Sequence, residues 1–264
     1  MADDADVGAG GGQGAFGDDA SPADGLPDRL AAVPLFPLPG CVLLPGAVLP
    51  LHVFERRYRQ MTRHALGEEY DGRRLLGICR VRDGADPMDD QPSLHEVACV
   101  AAIVDHQSLP DGRFNLLVKG LARVKIRDEL PVHPDAGDDP KGGRGCNGAT
   151  MYRRADLGVV RCSSAFEIDL GEAREKMRDL CRRPPIVGTP VAHHLDKLFA
   201  SGVPTARLAD VLAFDLLEDV DAKQALLEET NVRRRVERLA ALLDRQFPEP
   251  DSILKLSKRF SVDD

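Results

Sequence analysis

At 264 residues and 43% hydrophobic residues, the chain is long enough to bury a substantial core, as one large or two small domains. Its formal charge of -8 is lopsided: residues 1–30 hold seven Asp and one Arg, which accounts for six of the eight negative charges, so the remainder is nearly neutral and bulk charge points to no nucleic-acid partner. No run of about 18 consecutive apolar residues is present to span a membrane, and the opening MADDADVGAGGGQG has neither the basic nor the apolar region of a secretion signal, so a cytoplasmic protein with no membrane partner is expected.

Residues 1–30 also contain seven Gly and almost no large apolar side chain, which predicts a disordered acidic tail. A β subdomain is expected over residues 31–165. Val33 to Leu38 and Cys41 to Leu44 read as short extended pieces whose prolines fit only edges, bulges or barrel corners. Glu55 to Leu66 has helical spacing, with Tyr58, Met61 and Ala65 on one side and Arg56, Arg59 and Arg63 on the other. Residues 95–130 have a period of two: a strand to about Gln107, a Pro110-Asp111-Gly112 turn, a strand from Arg113 to Lys119, a pivot at Gly120 and a third strand to Ile126. Alternation of Leu121, Arg123 and Lys125 with Val124 and Ile126 predicts an antiparallel meander with one buried face. The Pro, Gly and Asp content of residues 131–150 marks a loop insertion, after which Met151 to Val160 resumes a strand pattern.

From about residue 166 to 247 the period becomes helical. Ala173 to Arg183, Val191 to Ala200 and Thr205 to Leu217 are three expected helices, a short fourth starts at Asp221, and Asn231 caps a fifth that carries Val232, Val236, Leu239 and Leu243. Residues 248–264 read as a flexible tail. Strands first and helices after argue for an α+β protein with two subdomains rather than alternating α/β.

Three stretches, PLFPLPGCVLLPGAVLPLHVFERRYRQM (34–61), LPDGRFNLLVKGLARVKI (109–126), and RLADVLAFDLL (207–217) with KQALLEETNVRRRVERLAALLDRQ (223–246), occur in the order found in the N-terminal, substrate-binding domain of Lon proteases. The chain resembles that family, and most closely the small bacterial proteins that consist of this domain alone. The insertion at 131–150 and Asn231, where many relatives have Asp, depart from the pattern. The resemblance implies a PUA-like antiparallel pseudo-barrel followed by a helical bundle. It also implies a module that recognises unfolded or flexible polypeptide segments, with a protease or chaperone as a further partner, in the manner of an adaptor or holdase.

The sequence itself carries little that points to catalysis. It has no G-x-x-x-x-G-K-[ST] loop to cradle nucleotide phosphates, its six cysteines form no C-x-x-C pair, and His193 and His194 are neighbours that diverge by about 100° on a helix and cannot chelate together. A non-enzymatic module without cofactor or metal is therefore expected. Phe36, Leu38, Leu44, Leu51 and Phe54 are candidate peptide contacts: exposed at a proline-broken edge they would line a groove for an extended chain, although barrel core competes for the same residues. Arg56, Arg59 and Arg63 form a candidate polar contact face. RNA binding by a PUA-like barrel is the alternative, weakened by acidic residues interleaved with these arginines and by the lack of a nearby aromatic platform.

Overall fold

The computed structural model describes residues 25–67, 73–84, 89, 91–132, 150–163 and 165–249. Most of the predicted tail (1–24), most of the predicted insertion (133–149) and residues 250–264 lie outside the described residues. Strands β1 (Arg29–Leu38), β2 (Val48–Val53), β3 (Leu75–Arg80), β4 (Val97–Ser108), β5 (Phe114–Leu130) and β6 (Arg154–Val159) form one sheet, with helix α1 (Arg56–Gly67) inserted after β2. The helices α2 (Glu167–Leu180), α3 (Pro190–Ala200), α4 (Thr205–Leu216), α5 (Val220–Glu228) and α6 (Val232–Gln246) follow. Folded structure begins before residue 31, the expected start of the β subdomain: Leu26 and Leu30 are buried and β1 already pairs with β6 at Arg29.

The strand order is β2-β5-β4-β3-β1-β6, and β6 also pairs with β5, so five strands close into a barrel with β2 on its flank. The long β5 makes closure possible: Phe114–Lys119 pairs with β2, and Val124–Leu130 pairs with β6. Gly120 does not divide it into two strands. It sits at an irregularity of the β4–β5 register, where its N–H donates to Ala47 O and its carbonyl accepts from Gly46 N–H, both at 2.9 Å. One pairing departs from the expected antiparallel pattern, because β1 and β3 run parallel. A parallel pair needs a long crossover, here supplied by β2 and α1.

Two hydrophobic clusters use the two faces of the barrel wall. Leu35, Leu75, Val100, Val124 and Leu157 fill its interior, while Phe36, Leu76, Ile78, Cys99 and Ala101 on the same strands pack outward with residues of α1, α2, α4, α5 and α6. The expected single buried face is thus corrected to two. The helical layer covers the second, which is why LLGIC and VACVAAIV are continuous apolar runs rather than alternating ones.

Arg123, which alternation assigned to solvent, is buried. Its Nη1 and Nη2 donate to the two oxygens of Asp210 on α4 at 2.8 and 2.6 Å, and its Nε donates to Leu227 O at 3.0 Å. Arg235 Nε on α6 lies 3.2 Å from the same carboxylate. Burial opposes the Arg123 charge, but the pull and hydrogen bonds of Asp210 hold its pKa above the ordinary value. Buried ions demand such geometry, so the cluster fixes α4 and α6 on β5. At the rim, Arg80 of β3 pairs with Asp221 at 2.6 Å and Gln224 Nε2 donates to Val97 O at 3.1 Å, which seats α5.

Local signals set the starts of α3, α5 and α6. Asn231 Oδ1 accepts from Arg234 N–H at 3.0 Å and Thr189 Oγ1 from Ala192 N–H at 3.2 Å, both as N-caps. α2 starts at Glu167, ahead of the expected Ala173, because Glu167 is held from outside its own helix: its carboxylate accepts from the N–H and hydroxyl of Thr205 at 2.9 and 2.6 Å, capping α4.

Candidate binding cleft

An open cleft of about 640 Å³ separates the loop leading into β2 from α3 and α4. α4 contributes Arg207, Val211 and Asp215, whose spacing of four stacks them along one face, while Leu208, Leu212 and Leu216 carry the buried side. From α3 come His194 and Leu198, and from the barrel Val48 and Lys119, which are partners across the β2–β5 ladder. The floor is Gly46, at a φ of +86°. A Cβ there would meet Val211 Cγ2 at 3.3 Å and Arg207 Cγ at 3.4 Å, so glycine both permits the turn and keeps the cleft open.

Ser201 Oγ donates to Leu198 O at 2.7 Å, but the charged and imidazole side chains of the cleft are not spent on the fold. Among the described residues, Lys119, His194, Arg207 and Asp215 form no side-chain hydrogen bond or ion pair. Asp215 keeps access to solvent, yet loss of hydration pushes its carboxyl above the ordinary value, against the opposing charges of His194 and Lys223. Lys223, behind it, is pushed down by burial and donates to Phe214 O at 2.8 Å.

From Val48, 42% exposed, the outward side of β2 runs through Pro50 and His52 to Phe54, which is 61% exposed and stacks on His52 with ring centroids 6.2 Å apart. His52 Nδ1–H donates to Asn115 Oδ1 at 2.8 Å and Asn115 Nδ2 donates to Gln107 Oε1 at 3.1 Å, a chain that ties β2, β5 and β4. Among the named strands β2 pairs with β5 alone, so its other side is an edge, and Pro50, with no N–H to offer, sits in its middle.

This arrangement redistributes the residues expected from sequence. Phe36 and Leu44 are core residues, 5% and 0% exposed, and are not available to a peptide in this conformation. Phe36 points outward from the barrel, but the Tyr58 ring of α1 covers it at 4.5 Å. Leu38 and Leu51 are half-buried against the same core, and only Phe54 of the five stands at the surface. Of the polar face, Arg56 is exposed and Arg63 half-buried, while Arg59 Nη1 donates to Asp111 O at 3.2 Å and so braces the β4–β5 turn. The cleft residues were not singled out from sequence, apart from His194 as a helix-surface residue. Arg207, Val211 and Asp215 repeat every four residues, but nothing local tells that face of α4 from any other solvent face.

No group of three or more His, Cys, Asp or Glu among the described residues is placed to hold a metal. A smaller cavity of about 210 Å³ does gather Cys181, His193 and Asp196. Burial, reinforced by the charge of Asp196, pushes the Cys181 thiol up to about 12, the reverse of what a nucleophilic cysteine requires.

Residues 32–140 match the family model described as the ATP-dependent protease La (LON) substrate-binding domain. This part of the chain is similar to the Lon substrate-binding domain family. Similarity to Lon proteases extends beyond the matched residues: the enzyme from Anaeromyxobacter dehalogenans is 25% identical across 92% of this chain, and that from Xanthomonas oryzae pv. oryzae 28% identical across 86%. The chain spans about a quarter of the length of these curated relatives, 27% and 24%. Among solved structures, the N-terminal domain of Mycobacterium avium complex Lon protease aligns with a TM-score of 0.58 at 17% identity, covering 81% of this chain and 98% of that one. The Lon N-terminal domain protein from Xanthomonas campestris aligns at 0.51 and 23%, covering 80% and 98%. The Lon-type fold therefore extends through the helical layer, and the cleft lies between the Lon-type barrel and two of its helices.

Proposed function

We propose that this protein is a polypeptide-binding module that receives flexible or unfolded protein segments in the cleft between β2, α3 and α4, acting as an adaptor or holdase for a protease or chaperone rather than as an enzyme. The matching family is described as a substrate-binding domain of an ATP-dependent protease, and proteins are the substrates of a protease. The observation that carries the reading is the pairing of that match with a cleft in which Lys119, His194, Arg207 and Asp215 have no side-chain hydrogen bond or ion pair among the described residues and Val48 stands 42% exposed. Clefts with apolar walls and a few convergent polar groups are the usual form of a binding site. The RNA alternative draws less support, since Arg59 is committed to Asp111 O and Arg57 to Glu55 at 2.9 Å.

The test is fluorescence anisotropy of the full chain with a labelled, permanently unfolded protein, without nucleotide and with structured RNA as competitor. Saturable binding that RNA fails to displace, weakened about tenfold or more by Leu198→Asp or Val211→Asp while circular dichroism is unchanged, is the expected result. Absence of binding, or binding that only RNA competes, would overturn the proposal.

A further inference from the structure

The cleft is polarised along its length. On α4 a rise of about 1.5 Å per residue puts Val211 about 6 Å and Asp215 about 12 Å beyond Arg207 along the helix axis. Arg207 shares the cleft with Lys119, which lies beside Val48 across the β2–β5 ladder. The middle is apolar, with Val211, Leu198 and Val48. The far end holds Asp215, within electrostatic reach of His194. Both Arg207 and Lys119 are half-buried, and neither has an anionic partner among the described residues. Two cations lining one cleft, each partly stripped of water and left without a counter-charge, are a standing electrostatic cost that a bound anion would relieve.

Resting on the proposed polypeptide binding, we infer that the cleft selects an extended segment that places a carboxylate at Arg207 and Lys119 and a large apolar side chain over Val211 and Leu198. An extended chain advances about 3.3 Å per residue, so the axial step of about 6 Å between positions 207 and 211 of α4 corresponds to about two residues and the recognised pattern is acidic, any, apolar. The carboxylate comes from an Asp or Glu side chain or from a chain terminus, since both offer the same two oxygens to a guanidinium fork. Asp215 at the other end disfavours a second acid about two residues beyond the apolar one and tolerates a basic residue there, which gives the bound segment a direction.

Labelled ten-residue peptides that differ only in Asp-x-Leu, Asn-x-Leu or Lys-x-Leu, each with blocked ends, separate these requirements when titrated against the full chain at near-physiological ionic strength. A fourth peptide ending in Leu-x, with its terminus free or amidated, tells the two sources of carboxylate apart. Binding of Asp-x-Leu about tenfold tighter than Asn-x-Leu is expected, with the preference lost in Lys119→Gln/Arg207→Gln and turned toward Lys-x-Leu in Arg207→Glu. Equal affinity for the Asp, Asn and Lys peptides would overturn this inference and leave polypeptide binding standing. Failure of all the peptides and of unfolded protein to bind would overturn both. Because Arg207 is half-buried and has no partner among the described residues, the Gln variants keep the fold, which circular dichroism checks.

Discussion

Replacing Asp210 with asparagine removes one charge from a site where two arginines converge. Asp210 accepts from Arg123 Nη1 and Nη2 at 2.8 and 2.6 Å and lies 3.2 Å from Arg235 Nε, and all three side chains are at most 5% exposed. Each charge-assisted bond contributes about 1.5–3 kcal/mol. Asparagine keeps one acceptor oxygen and turns an N–H₂ toward a guanidinium that can only donate. The arginines retain Leu227 O and Glu229 O at 3.0 and 2.9 Å as acceptors, but carbonyl dipoles do not neutralise two positive charges. The expected loss is about 3–5 kcal/mol, the usual cost of leaving a buried ion without its partner. For a folded part of this size that lowers Tm by roughly 10 °C. Urea denaturation followed by circular dichroism measures it. The joint apolar replacement Arg123→Met, Asp210→Leu and Arg235→Met restores stability to within about 2 kcal/mol of the parent, because no charge is then buried. A loss below about 1 kcal/mol for Asp210→Asn would refute the argument, since it would mean that water reaches the cluster and screens it.

Gly120→Ala should destabilise by about 2–3 kcal/mol, because its Cβ would stand 2.4 Å from Leu44 O in backbone that the Gly46 and Ala47 hydrogen bonds hold in place. Gly171→Ala, in α2 with nothing within 4 Å of the added carbon, should instead stabilise by about 0.5–1 kcal/mol, and denaturant midpoints distinguish the two. The buried thiols predict an alkaline limit. Burial pushes Cys99 and Cys181 from an ordinary 9.0 up to about 12, so the unfolded chain releases these protons first. Their contribution is intact below pH 9 and is lost as pH rises toward about 12, by up to ~1.4 kcal/mol per pH unit for each thiol. Urea midpoints compared between about pH 8 and about pH 10.5 should fall, and because burial raises Cys79 as well, Cys99→Ala should remove about a third of the thiol-dependent slope; an unchanged slope would contradict protonated burial of Cys99.

Sequence alone determined what depends on neighbours along the chain. Capping by Asn231 and the apolar stripe of α6 are encoded within four residues of one another, and the Pro110-Asp111-Gly112 turn joins two strands whose alternation is explicit. The passage from strands to helices is legible for the same reason, and it suffices for the α+β class. Tertiary structure decided which side of each element meets another element. Arg123 alternates like a solvent-facing residue, yet α4 and α6 bring it Asp210 and bury it. Phe36 reads as a candidate contact, yet α1 lays Tyr58 across it. The parallel β1–β3 pair, the barrel closure through β5, and the gathering of Lys119, His194, Arg207 and Asp215 around one cleft join residues as many as about a hundred positions apart. Burial and pairing at such separations are set by the packing of whole layers, and no local period records them.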